Sequence, residues 1–449
     1  MMGIIYDNDG KPELAIEEYK KALVIEPAAS RVHARLAIDY LLTKKEEQAV
    51  EELKIAKSLD PEDARPRFVL ALIYTSLKKF DQAQREYEGI VRINPDDMRA
   101  LSSLADILVL QEKTGEAAGV YEKLLEKEKG SPSLYFNLAI LYSRLGQIDR
   151  AIEMFRETIA LKEDYVEAYI GLGILYKMKG DLSNSILNFE KAIAFDPLQV
   201  KIYYALGQLY QQAKRPADAA RQYDLLAKIQ PQDADAYIEW ANLLLKEKKP
   251  QDALAVLERA FAAGARDAEV YIALGYAATV VDKNDEALNY LKSAIEKDPQ
   301  DPRARFYLGS VYEKTKQYEL AAKEFREAIR LDPAFADAYN YLGYMFADQG
   351  INLDEAITLI QRALELEPGN GAYIDSLGWA YYKKGMMDDA VAAMEKAVKL
   401  EPGDAAVRDH MGDVYFRKGL ADKARKEWQR SLELDPKQDK VREKLRKIK

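Results

Sequence analysis

The side chains that could do chemistry are few, and their spacing argues against a catalytic centre. The two histidines, His33 and His410, lie near opposite ends of the chain. A lone histidine on a helix is more often a packing or surface residue than a ligand or a base. The chain has no cysteine, so a disulfide framework, a thiol nucleophile, an Fe–S centre and a thiolate zinc site are excluded. Gly171-Leu172-Gly173 invites a phosphate-loop reading, but it completes no G-x-G-x-x-G and follows Tyr169 inside an apparent helix. Acidic pairs such as Asp354-Glu355 and Asp388-Asp389 fall where helices begin, and carboxylates there favour the positive end of the dipole. No nucleophile elbow, P-loop or H-x-x-x-H occurs. The expectation is a chain without catalytic residues, metal or cofactor, and not an enzyme.

What remains is aromatic, and the aromatics gain meaning from the frame that places them. Residues 336–402 state one pattern twice: Leu342-Gly343 returns as Leu377-Gly378, Ala356 as Ala390, Ala363 as Ala397, and Pro368 as Pro402. A small residue in one helix and an alanine opening the next, each amid amphipathic spacing, describe two helices built to pack together. Followed through the chain, the first small residue is Gly3, Ala37, Ala71, Ala105, Ala139, Gly173, Gly207, Ala241, Gly275, Gly309, Gly343, Gly378 and Gly412. The period is 34 throughout except for one of 35, where Gly350-Ile351-Asn352-Leu353 lengthens a turn. Prolines test the register independently. Pro27, Pro61, Pro95, Pro197, Pro231, Pro299, Pro333, Pro368, Pro402 and Pro436 sit where second helices should end, and the rest open helices.

This pattern resembles the tetratricopeptide repeat, a helix–turn–helix unit of 34 residues. The resemblance implies an all-α, right-handed superhelix, an α-solenoid of thirteen repeats over 1–436, each with a helix A and a helix B. Residues 437–449 form a basic C-terminal helix with Val441, Leu445 and Ile448 on one apolar stripe. That stripe is expected to cap the array, the other reading being an anchor to an anionic surface. Because Met1-Met2-Gly3 begins inside a helix A, upstream sequence is expected in the natural chain. An irregular superhelical step is expected at the junction of repeats 8 and 9, with Val280-Val281 where neighbouring repeats carry polar residues. Ser185 stands where other repeats have alanine, and its hydroxyl is expected to bond the carbonyl four residues back, making Ser185→Ala nearly neutral.

On a wheel of 100° per residue, the helix-A positions opposite helix B line the concave groove of this family. Most of the 29 tyrosines occupy packing positions instead. Tyr204, Tyr276, Tyr307, Tyr341, Tyr344 and Tyr382 fall on the groove face, joined by Phe306, Trp379 and Phe416. They concentrate in repeats 9 to 13. Apart from Tyr204, these are the candidate partner-binding residues, since aromatics dominate interface hot spots. The competing reading is packing between neighbouring A helices. Tyr344 and Trp379 share a repeat position and are expected to stand side by side. Asn137 and Asn242 are isolated, so the asparagine-based carboxylate clamp of chaperone-tail binders is not expected.

At 449 residues the chain exceeds a single compact core, a limit that a repeat array escapes. The balance of 66 basic and 75 acidic residues is too mild and mixed to imply nucleic acid. No apolar run approaches a membrane span. A narrower resemblance covers Asn340 to Gly385 and Asp409 to Pro436. These stretches resemble bacterial outer-membrane tetratricopeptide lipoproteins, whose best-known type is adaptor to a carboxyl-terminal processing protease. The resemblance implies a non-enzymatic scaffold or adaptor, periplasmic and anchored through an N-terminus not in this chain, holding protein or peptide segments such as an envelope protease or its substrates. The alternatives are an assembly factor for a secretion or polysaccharide-export complex, and a cytoplasmic location.

Overall fold

The residues between helices decide how the chain is cut. Asp97 accepts hydrogen bonds from the backbone N–H groups of Arg99 and Ala100, both at 3.1 Å, and so opens the helix Met98–Leu110. Asn370 and Asp404 do the same for Gly371–Lys384 and Ala405–Arg417. Pro132, Pro216, Pro250 and Pro302 begin helices, where a missing N–H costs nothing. Each helix A hands over to helix B through one left-handed residue. That residue is Gly10, Lys44, Lys78, Glu112, Gly146, Gly180, Lys214, Lys248, Asp282 and Lys316 in successive repeats. In repeat 11 the additional residue is absorbed by a longer helix A, Ala336–Gln349, and by two left-handed residues, Gly350 and Asn352.

A computed structural model describes residues 1–447, and Ile448 lies outside them. The described residues form 27 α-helices and no strand, and within each of the two units given below consecutive helices pack together. Contacts divide the chain into two compact units, Met1–Lys214 and Arg215–Lys449. In the first, Leu70, Ala71, Leu104, Ala105, Leu138 and Ala139 of the A helices meet Tyr87, Ile90, Tyr121 and Leu124 of the B helices in one buried cluster. In the second, Leu274, Val311, Leu342 and Met411 meet Leu291, Phe325, Ile360, Met394 and Trp428. The division falls inside a repeat, between Val200–Gln212 and Pro216–Ile229, where composition does not change. At Val280-Val281 the helix Ala268–Val280 has the usual 13 residues, and Asp282 makes the usual left-handed turn. The junction of repeats 8 and 9 differs locally from its neighbours: the helix Pro250–Ala263 closes on Gly264 at φ 101°, where Pro216–Ile229 and Asn284–Lys297 close on Gln230 and Asp298 at φ of -127° and -134°.

The small residues of helix A have a steric cause. A Cβ on Gly309 would lie 2.8 Å from the Phe325 ring, and one on Gly412 would run into the Trp428 ring. Gly173, the supposed phosphate-loop glycine, sits mid-helix in Val166–Met178, with Phe189 2.8 Å from where its Cβ would be. The last described helix, Asp439–Lys447, buries Val441 and lays Leu445 against the second core. Its Lys444 donates to Asp409 at 2.7 and 2.8 Å and to Asp413 at 2.7 Å. That basic side chain is therefore engaged within the fold.

Candidate partner-binding surface

In repeats 9 to 13 helix B covers one side of helix A and leaves the opposite side without a helix from its own repeat. In repeats 9 to 11 that opposite side holds a hollow of about 420 Å³, lined by Tyr276, Thr279, Phe306, Tyr307, Ser310, Glu313, Lys314 and Tyr341. Four of the eight sequence candidates meet here. Tyr276 and Tyr341 are 40% and 42% exposed, Tyr307 is half-buried, and Phe306 is buried beneath them. Ring centroids lie 5.2 Å apart for Tyr276 and Tyr307, 5.3 Å for Phe306 and Tyr307, and 5.0 Å for Phe306 and Tyr341. Phe306 also touches Phe325 and Phe335, so it anchors the floor and is not a free contact.

A second cluster spans repeats 11 to 13. Trp379 is buried at 9% exposure, stacked between Tyr382 at 4.9 Å and His410 at 4.4 Å. Its indole N–H donates to Asp348 at 3.3 Å. Tyr344 and Trp379 both meet His410, Tyr344 at 6.4 Å, so the histidine joins the pair that sequence placed side by side. The Arg417 guanidinium lies over Tyr382 at 4.9 Å, and the Lys383 ammonium over Trp379 at 5.2 Å. Tyr344 and Tyr382 are half-buried. Phe416 is half exposed and rests 5.6 Å from Trp428. The eight candidates thus divide between surface (Tyr276, Tyr341, Phe416), intermediate (Tyr307, Tyr344, Tyr382) and packing (Phe306, Trp379).

Sequence reasoning missed the charge on this face. His410 accompanies Asp375, whose carboxylate oxygens lie 2.9 and 3.2 Å from Nδ1. Burial alone would lower the imidazole pKa, but the Asp375 hydrogen bond and the charges of Asp375, Asp409 and Asp413 raise it overall. Burial, followed by the charges of Asp348, Asp375 and Glu313, pushes the Tyr344 hydroxyl upward. Burial and then Asp348 push the Glu313 carboxyl upward. Burial outweighs the Lys444 bond at Asp413 and raises that carboxyl too. Asp375, His410, Glu313 and Asp348 occupy groove-side positions on the same helical wheel that selected the aromatics. Applying the wheel to charged residues would have found them. Among the described residues, no three His, Cys, Asp or Glu side chains converge as metal ligands.

The other histidine, His33, is buried, with Nδ1 2.5 Å from Glu52 and Nε2 2.9 Å from the Pro27 carbonyl. In the first unit a hollow of about 540 Å³ includes Asp7, Arg31, Arg35, Ile38, Asp39 and Leu42. Burial and the neighbouring Asp7 push the Asp39 carboxyl up to about 7, with Arg35 acting the other way. Neither the hollow nor its acid pair was singled out from sequence.

Residues 1–130 and 120–153 match tetratricopeptide-repeat families, as do 200–233, 281–334, 316–371 and 376–439, and residues 178–214 match a further TPR repeat. The chain is a tetratricopeptide-repeat protein. No curated protein matches it significantly. Among solved structures, a chain of the Naa15/Naa10 complex bound to HypK-THB is similar in fold, with 17% identity over 97% of this chain and 67% of that one, and a TM-score of 0.53. TTC0263, a thermophilic TPR protein of Thermus thermophilus, matches 40% of this chain and 98% of its own at 22% identity and TM-score 0.37. YrrB, described as a TPR protein with an unusual peptide-binding site, matches 41% of this chain and 95% of its own at 23% identity and TM-score 0.33. Among the described residues, no helix is long and apolar enough to cross a membrane.

Proposed function

We propose that this tetratricopeptide-repeat protein is a non-enzymatic scaffold whose A-helix face in repeats 9 to 13 holds segments of partner proteins. The observation that carries the reading is the hollow formed by Tyr276, Phe306, Tyr307 and Tyr341. Two of these rings, Tyr276 and Tyr341, keep about two-fifths of their surface exposed. Rigid rings on rigid helices give contact area at little entropic cost. We place the partners in the bacterial envelope, with the full-length protein an outer-membrane-anchored periplasmic lipoprotein serving as adaptor to a carboxyl-terminal processing protease. The support for that placement is the resemblance carried by Asn340–Gly385 and Asp409–Pro436.

The test is site-specific photo-crosslinking in the host. Benzoylphenylalanine replacing Tyr341 should give discrete protein adducts. The same group replacing Leu187, an exposed residue of the helix Leu182–Phe195, should not. A protease or its substrates among the adducts supports the adaptor. Secretion or polysaccharide-export proteins would instead favour an assembly factor. Identical smears from both positions would overturn the scaffold reading.

A further inference from the structure

The aromatic hollow of repeats 9 to 11 contains a carboxylate that no protein group pairs with among the described residues. Glu313 lies in its wall, half-buried, with no side-chain hydrogen bond or ion pair among the described residues. The adjacent Lys314 does not neutralise it, because its ammonium reaches the Thr279 carbonyl at 2.5 Å and Asp282 at 2.6 Å. The next carboxylate, Asp348, is already engaged by the Trp379 indole and lies 3.8 Å from Lys383. Arg303, which lies toward Tyr307, is held by Asp301 and Glu269. A half-buried carboxylate that lines one hollow with Tyr276, Tyr307 and Tyr341 is a poor site for an anion or a purely apolar group. It suits a cation with flat, weakly hydrated faces that can stack on aromatic rings while donating to an oxygen.

We infer that this hollow receives an arginine side chain from a partner segment, the guanidinium stacking among the three tyrosines and donating to Glu313. The inference rests on the scaffold reading and adds the chemistry of what is held. Burial that raises the Glu313 carboxyl agrees with it, since a charge kept there at a cost is relieved when a cation arrives.

The probe is a fluorescein-labelled octapeptide of alternating alanine and arginine, with citrulline and glutamate counterparts, titrated against the whole chain. The arginine peptide should bind, and the citrulline and glutamate peptides should not. Glu313→Gln should weaken binding roughly tenfold or more, the scale of a charge-assisted hydrogen bond, with an unchanged or higher Tm. Tyr341→Leu should weaken it similarly, and this second variant serves if the first folds poorly. Glu62→Gln, an exposed carboxylate of the first unit, should leave binding unchanged. Equal binding of the citrulline peptide, equal weakening by Glu62→Gln, or displacement by millimolar choline without any effect of Glu313→Gln would each overturn the inference. If the arginine peptide fails while Tyr341 still crosslinks discrete proteins, the arginine site falls and the scaffold stands. If both fail, both fall.

Discussion

Ser185 shows how much one hydroxyl depends on what faces it. Its side chain is buried and donates to the Gly173 carbonyl at 2.7 Å, across the helix pair and not to its own preceding turn. The local bond expected from sequence is thus replaced by one between helices. Ser185→Ala should therefore cost about 1 kcal/mol, the net worth of such a bond, measured as a shift in urea midpoint at constant slope. His410 carries a second residue-level consequence. Its imidazole pKa is raised above the ordinary value near 6.5, because Asp375, Asp409 and Asp413 together outweigh burial. A histidine raised on folding stabilises fully below its unfolded pKa and loses that stabilisation as pH rises through its folded pKa. The Tm advantage of the native chain over His410→Gln should thus be largest at pH 6 and shrink toward pH 9. A gap that stays constant over that range would mean that the ring contributes packing alone.

At the scale of elements, the left-handed turn between helix A and helix B is the most regular backbone feature of the chain. Glycine fills it at Gly146, Gly180, Gly385 and Gly419, but Lys44, Lys78 and Lys248 adopt φ of 58°, 56° and 58° in the same place. A side chain held left-handed costs on the order of 1–2 kcal/mol, partly offset by glycine's greater freedom when unfolded. Lys248→Gly should accordingly stabilise the protein by about 0.5–1 kcal/mol, read by calorimetry, and the same exchange at Lys78 should agree. The helix pairs themselves were legible in sequence, because the Gly or Ala of helix A and the proline ending helix B each follow from a contact or a missing donor. The groove aromatics were legible as a face but not by depth. A wheel places Trp379 and Tyr341 on one side of their helices, yet only the neighbouring helix buries the first under His410 and leaves the second exposed. The unpaired Glu313 was hidden for the same reason, since pairing depends on where Lys314 and Lys383 turn.

At the scale of the molecule, a repeat array stores stability in nearest-neighbour contacts, so a local defect should spread only as far as those contacts reach. Trp379 provides the test within the second unit. Its helix, Gly371–Lys384, packs on Ala336–Gln349, Leu353–Leu366, Met387–Leu400 and Ala405–Arg417. Its ring fills the space between Tyr382 and His410 and ties Asp348 through the indole N–H. Trp379→Ala leaves a cavity and should cost about 3–5 kcal/mol, the usual range for a buried tryptophan. Tyr341→Ala removes a ring that is 42% exposed and should cost far less. Hydrogen exchange followed by mass spectrometry separates a local from a global loss. In Trp379→Ala, protection should fall in the five helices just named and remain native in Pro250–Ala263 and Ala268–Val280, which lie several repeats before the substituted position. Uniform loss through the second unit would mean that it unfolds all-or-none, and nearest-neighbour coupling would not describe it. Protection unchanged everywhere would mean that the stacked indole contributes nothing to the fold, and Trp379 would return to the surface residues as a direct partner contact.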